Sequence, residues 1–216
     1  MSIEWAHSAH GIVKEPQPYT GKILPLLESD AIFFQKRFGI PAPIAHSFIR
    51  VDPDSNRYVL PILSPHERVR GHVLRYAWNG APRHTDEFYP KAQTFKADDS
   101  PLQSFYAACW GDGGALVLVE DQISAITLAA SGYSSVAILG KPTGKIGSYS
   151  GHDRVSEIAR VAGLREVIVA LDSDATADAF NFVRVWGAAF HKCRVAILTD
   201  DIKDTRPESF YEVLGA

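Results

Sequence analysis

The chain has 216 residues, 46% of them hydrophobic, which is enough for one ordinary domain or two small ones with real cores. No apolar run approaches the roughly 20 residues needed to cross a bilayer, and the start Met1-Ser2-Ile3-Glu4 lacks the basic-then-apolar pattern of a secretory signal, so a cytoplasmic protein with no membrane partner is expected. The two cysteines, Cys109 and Cys193, exclude a disulfide framework or a cysteine-rich zinc module, and the net charge of −3 does not by itself point to nucleic acid.

The charge is unevenly spread. Residues 1–112 hold 12 Lys+Arg against 12 Asp+Glu, and residues 113–216 hold 10 against 13. In chain order, an irregular arm with Pro16, Pro18 and Gly21 precedes a short helix capped by Ser29-Asp30 that runs through Phe33, Phe34 and Arg37. Gly39 reads as its left-handed stop, with Pro41 and Pro43 beyond. Residues 57–63 and 69–76 are β-rich and joined by the turn Ser64-Pro65-His66-Glu67. Between Asn79 and Ser100 no period is visible, which predicts a long loop. Gly111-Asp112-Gly113-Gly114 reads as a hinge, dividing the chain into residues 1–112 and 113–216.

Beyond the hinge, four apolar runs at 115–119, 135–139, 166–171 and 194–198 alternate with helical patterns. The helices carry Ile123-Ile126-Thr127-Ala130, Val155-Ile158-Ala159-Ala162 and Phe182-Val183-Trp186-Phe190. This predicts an α/β domain with a parallel sheet flanked by helices, preceded by a smaller α+β basic lobe. Ligands bind such sheets at the carboxyl ends of the strands. Glu120 directly follows the first run, and Asp172-Ser173-Asp174 follows the third.

Residues two apart in an extended segment share a side, so Asp172 and Asp174 could face one ion together. Like charges about 4 Å apart repel by on the order of 1 kcal/mol in water and about 4 kcal/mol near a protein surface, so such a cluster calls for a cation, and carboxylate oxygens suit Mg²⁺ or Mn²⁺. The pair could equally cap the helix that follows, and these residues alone leave both readings open. Gly140 to Lys145 imitates a phosphate-binding loop, but its glycine spacing is one residue short and Ile146 stands where a hydroxyl is needed.

Leu118-Val119-Glu120, Asp172-Ser173-Asp174 and Lys203-Asp204 together resemble the TOPRIM domain of primases and topoisomerases over roughly residues 113–210. The resemblance implies acid-base or metal-organising work for Glu120, magnesium coordination by Asp172 and Asp174, and catalytic roles for Lys203 and Asp204, a pair typical of the primase branch. The chain departs from the family in having Asp121 where glycine is usual and Ser124 where an acid is usual. A topoisomerase would also need a strand-cutting tyrosine domain that 216 residues cannot house.

The preceding lobe, with Tyr58-Val59-Leu60-Pro61-Ile62, Arg68 to Arg75 and Tyr89-Pro90-Lys91, resembles the basic lobe before TOPRIM in bacterial and phage primases. The resemblance makes Arg75 and Lys91 phosphate contacts for the incoming nucleotide. Arg68 and Arg70, two apart on one strand, fit template backbone binding, although arginines on a hairpin also simply solvate its outer face. Tyr76, Trp78, Phe88 and Phe95 read as core more readily than as base-stacking residues.

The expected protein is a Mg²⁺-dependent primase core, of phage or mobile-element type in its brevity. It would act on single-stranded DNA with nucleoside triphosphates, and a replicative helicase or template-recognition protein would supply what it lacks. A TOPRIM-type nuclease using water as nucleophile, or a non-catalytic nucleic-acid-binding module, are the alternatives.

Overall fold

The computed structural model describes residues 18–63, 69–76, 92–97, 106–108, 114–139 and 149–215. The N-terminal arm before Pro18, the 64–67 turn, Trp78, Phe88, Cys109, the hinge residues 111–113 and the 140–145 loop lie outside the described residues.

The first part opens with a short strand β1 (Leu24–Pro25) and helix α1 (Glu28–Phe38). Helix α1 ends at Gly39, whose φ of 67° lets its N–H reach Gln35 O while Ile40 N–H reaches back to Phe34 O. A Cβ at Gly39 would also stand 3.1 Å from Pro207 Cγ, so glycine answers both the backbone and the packing there. The expected Ser29-Asp30 cap is absent: the N-cap is Leu27, and Asp30 instead accepts a 2.9 Å hydrogen bond from the buried Tyr58 hydroxyl.

A second helix, α2 (Ala42–Phe48), follows Pro41 and was not anticipated. Proline ends one helix but also suits the start of the next, where the missing N–H has no intrahelical partner. Strands β2 (Arg50–Asp52), β3 (Arg57–Leu63), β4 (Val69–Tyr76) and β5 (Ala92–Lys96) complete an antiparallel sheet ordered β1-β2-β3-β4-β5. Strand β5 lies inside the stretch expected to be loop. Residues 92–94 are exposed on an edge strand, so the alternation that would mark a half-buried strand is missing.

The second sheet has the order β10-β9-β7-β8-β6, built from β6 (Tyr106–Ala108), β7 (Leu116–Val119), β8 (Ser134–Ala137), β9 (Glu166–Val169) and β10 (Lys192–Val195). The last four strands in sequence run parallel, as the alternating pattern predicts, and β6 adds antiparallel to β8. Strand β6 precedes the hinge yet belongs to this sheet. Strands β9 and β10 stop short of the expected 171 and 198, although Ala170 N–H still bonds Leu118 O at 2.8 Å and Ala196 N–H bonds Val169 O at 3.0 Å.

Helices α3 (Gln122–Ala130), α4 (Tyr149–Ala162), α5 (Thr176–Trp186) and α6 (Phe210–Leu214) cover the sheet. Because successive strand residues point to opposite faces, Leu116, Leu118, Val167 and Val169 pack with Val155, Ile158 and Phe182 on one side, while Val117, Val119 and Ile168 pack with α3 and Phe210 on the other. That second core is continuous with the first part of the chain, since Phe34, Ile40, Ile49, Tyr58 and Leu60 belong to it.

Phe34 is wholly buried, with its ring 4.9 Å from that of Tyr58. Phe34→Ala should cost about 3–5 kcal/mol. Because the core is shared, urea unfolding followed by tryptophan fluorescence and by far-ultraviolet circular dichroism should shift together in a single transition; two separated transitions would show that the parts fold independently.

Candidate active site

The strand order places β7 between β8 and β9, so the chain reverses its direction of progress across the sheet at the β7/β9 pair, the place where such sheets open a ligand crevice. Glu120 leaves the end of β7 half-buried, and Asp172 leaves the end of the β9 segment beside it. Beyond β10, Asp201 reaches the same corner. Three neighbouring parallel strands therefore deliver acids to one rim.

The Asp172-Ser173-Asp174 pair is not extended. Residues Ser173–Ala175 form a 3-10 turn, so the period of two that extended backbone would give does not apply there; Asp172 is half-buried and Asp174 exposed. In the structure Asp172 is not used as a helix cap. It makes no side-chain cap hydrogen bond, and the free N–H at the start of the turn is taken by Asp201, whose Oδ1 accepts from Ser173 N at 3.0 Å and from Ser173 Oγ at 3.2 Å.

Asp121 takes the capping role at α3, accepting 3.0 Å from Ser124 N. Its other oxygen meets Arg75 Nη1 at 3.4 Å and Lys203 Nζ at 3.2 Å. Lys203 Nζ also lies 3.2 Å from Asp172 Oδ2 and 2.8 Å from Asp201 Oδ2. One ammonium thus joins three carboxylates, and Arg75 of β4 ties the first sheet to them. Gln122 strengthens the same seam, donating 2.7 Å to Pro61 O of β3.

Electrostatics at this corner are uneven. Burial alone would raise the Asp121 carboxyl, but Arg75, Lys203 and the Ser124 N–H outweigh it and hold it below the ordinary aspartate value. Asp201 behaves alike: burial opposes, and Lys203 with the Ser173 donors prevails. Asp172 goes the other way, since burial lifts it, Lys203 only partly counters this, and repulsion from Asp121 and Asp201 adds to the rise. Lys203 loses to burial but gains more from the three acids, so its ammonium is held charged.

The remaining expected site residues are dispersed. Asp204 is exposed and ion-paired with Arg37, away from the Lys203 contacts. Arg70 meets Glu157 of α4 at 3.1 Å, a second tie across the seam, while Arg75 meets Asp121. Arg68 and Lys91 lie outside the described residues. Sequence reasoning passed over Asp201 and treated Asp121 only as a departure from pattern. The available signal was that acids follow the β10 run, at Asp200-Asp201, just as they follow the runs before Glu120 and Asp172.

The donor set suits a hard divalent ion in chemistry, being carboxylate oxygens alone. Among the described residues no three acidic, histidine or cysteine side chains are grouped to hold one, since the carboxylates are turned onto Lys203. No helix among the described residues is long and apolar enough to cross a membrane.

Solved structures with a similar fold include the DnaG primase catalytic domain bound to ssDNA, at a TM-score of 0.53 and 19% identity over 84% of this chain. The fold is that of a primase catalytic core. The primase fragment of the bacteriophage T7 primase-helicase protein matches over 92% of this chain and 77% of its own, at a TM-score of 0.53 and 13% identity. The RNA polymerase domain of Mycobacterium tuberculosis primase DnaG matches over 85% of this chain and 64% of its own, at a TM-score of 0.53 and 15% identity. The chain spans less than two thirds of several of the bacterial primase structures it matches, 61% for the ssDNA-bound domain and 47% for the Aquifex aeolicus primase. No protein-family model matches the sequence, and no curated protein matches it either.

Within this primase fold, Asp121 and Asp201 contribute stability that is complete above the ordinary aspartate pKa of 3.8 and is lost as pH falls through their lower folded values. Asp172 has the opposite sign, costing stability as it ionises. Asp121→Asn keeps a cap acceptor but removes the charge that Arg75 and Lys203 share. It should lower stability at neutral pH by about 3 kcal/mol and flatten the loss on acidification below about pH 4. Urea midpoints measured at a series of pH values check this, and an unchanged pH slope would contradict it.

Proposed function

We propose that the chain is a primase-type nucleotidyltransferase that synthesises short primers on single-stranded DNA with nucleoside triphosphates and Mg²⁺ or Mn²⁺. The observation that carries this reading is the position of Asp172: it stands beside the Glu120 strand end at the sheet's switch point, is not spent as a helix cap, and is incompletely neutralised, in a chain with the fold of primase catalytic cores.

In this reading Glu120, Asp172 and Asp174 hold the metal, with Lys203 and Asp204 completing the catalytic set. The bound ion supplies charge neutralisation at the triphosphate and a lowered pKa at the attacking hydroxyl. The reaction is an in-line displacement in which a primer 3′ hydroxyl oxygen bonds the α-phosphorus of the incoming nucleotide, the α–β bridging bond breaks and pyrophosphate leaves.

Residues 1–112 grip template and nucleotide, and residues 113–216 provide the acids. Lys91 and Arg75 address triphosphate oxygens, and Arg68 and Arg70 the template backbone. For Arg70 and Arg75 this means sharing or exchanging their present acidic partners, Glu157 and Asp121. A DnaG catalytic domain is described bound to ssDNA and the T7 fragment derives from a primase-helicase protein, which supports single-stranded DNA as template and a helicase or template-recognition protein as partner here.

Asp172→Asn should reduce labelled oligonucleotide synthesis by at least about 100-fold, the scale of losing one charge-stabilising group, while single-stranded DNA binding in a mobility-shift assay is retained. Full synthesis by the variant would defeat the assignment. Degradation of the template by the unaltered chain would replace polymerisation with a nuclease reaction, and a mobility shift without either product would make the chain a binding module.

A further inference from the structure

Lys203 is not a surface lysine resting on a nearby acid. Its side chain is 11% exposed, and its Nζ lies within 3.2 Å of carboxylate oxygens from Asp121, Asp172 and Asp201, which come from the ends of three different strands. Two of these contacts, to Asp172 and Asp201, are hydrogen bonds, and the third, to Asp121, is an ion pair. A compact, strongly hydrated point charge among carboxylate oxygens does there what a hard metal ion does, with one positive charge in place of two.

A divalent ion on Asp172 would stand within a few ångströms of that ammonium, and like charges at such range in a half-buried corner repel strongly. The four-carbon stem gives the ammonium room to withdraw, whereas the acids are fixed by their strand ends and by the Ser124 and Ser173 donors.

We propose that Lys203 is the built-in counter-ion of the acidic corner, keeping it folded and closed without metal, and that a divalent ion enters only by displacing this ammonium from Asp172. The proposal rests on the metal-dependent reading above. It makes the free chain a weak metal binder whose melting temperature rises little when Mg²⁺ is added.

The test is Mn²⁺ binding, followed by electron paramagnetic resonance of the free ion, together with melting temperatures in EDTA and in Mg²⁺, for the unaltered chain, Lys203→Met and Lys203→Arg. Lys203→Met should bind Mn²⁺ about tenfold more tightly, melt lower in EDTA and gain more from Mg²⁺, because ligands that bind the native state stabilise it by mass action. Lys203→Arg should stay near the unaltered chain. Equal Mn²⁺ affinity in all three would overturn the exchange and leave the metal site standing, whereas binding by none would overturn both. If Lys203→Met does not fold in either medium, Asp121→Asn and Asp121→Asn/Lys203→Met are compared instead, and the same tenfold difference is expected between them.

Discussion

Carboxylates from three parallel strands can share one corner only if positive charge is placed among them, and here the Lys203 ammonium and the Arg75 guanidinium supply it. Asp121 is where the two cations meet. It caps α3, fixes the direction in which the chain leaves β7, and receives Arg75 from the other sheet. Removing charge from either sign would leave its partner buried without compensation, which costs more than the pairs return by forming. The position of the first sheet and the shape of the acidic rim are therefore one electrostatic problem with one solution.

Packing solves the same problem from below. The apolar face of the first sheet continues into the core beneath α3 and α6, so the arginines of β4 are presented to the acids by a framework that cannot slide without opening buried surface. The Gln122 bond to Pro61 O and the Arg70 pair with Glu157 fix the two sheets at further points along the seam.

Much of this was legible in the sequence because it depends on local signals. Apolar runs with glycines after the intervening helices define the parallel sheet, and Gly39, Gly132 and Gly163 all take the left-handed conformation that a helix stop requires. Acids directly after strands mark the rim. What could not be read depends on partners distant in the chain: that Asp201, rather than Asp172, satisfies the turn after β9, that Lys203 gathers three acids, and that Arg70 and Arg75 bind Glu157 and Asp121. Strand β5 escaped because an exposed edge has no alternation to display. The backbone conformation at Asp172-Ser173-Asp174 was not legible either, because a period of two assumes extended backbone and the chain turns at Ser173.

The proposed function requires the rim of β7, β9 and β10 to take a divalent cation. Crystals grown without metal and soaked in Mn²⁺ test it through anomalous diffraction. The expected result is an ion bound by Asp172 together with Glu120 or Asp174, with the Lys203 ammonium moved away from Asp172. Manganese located elsewhere, with Lys203 still joining its three carboxylates at saturating ion, would contradict it.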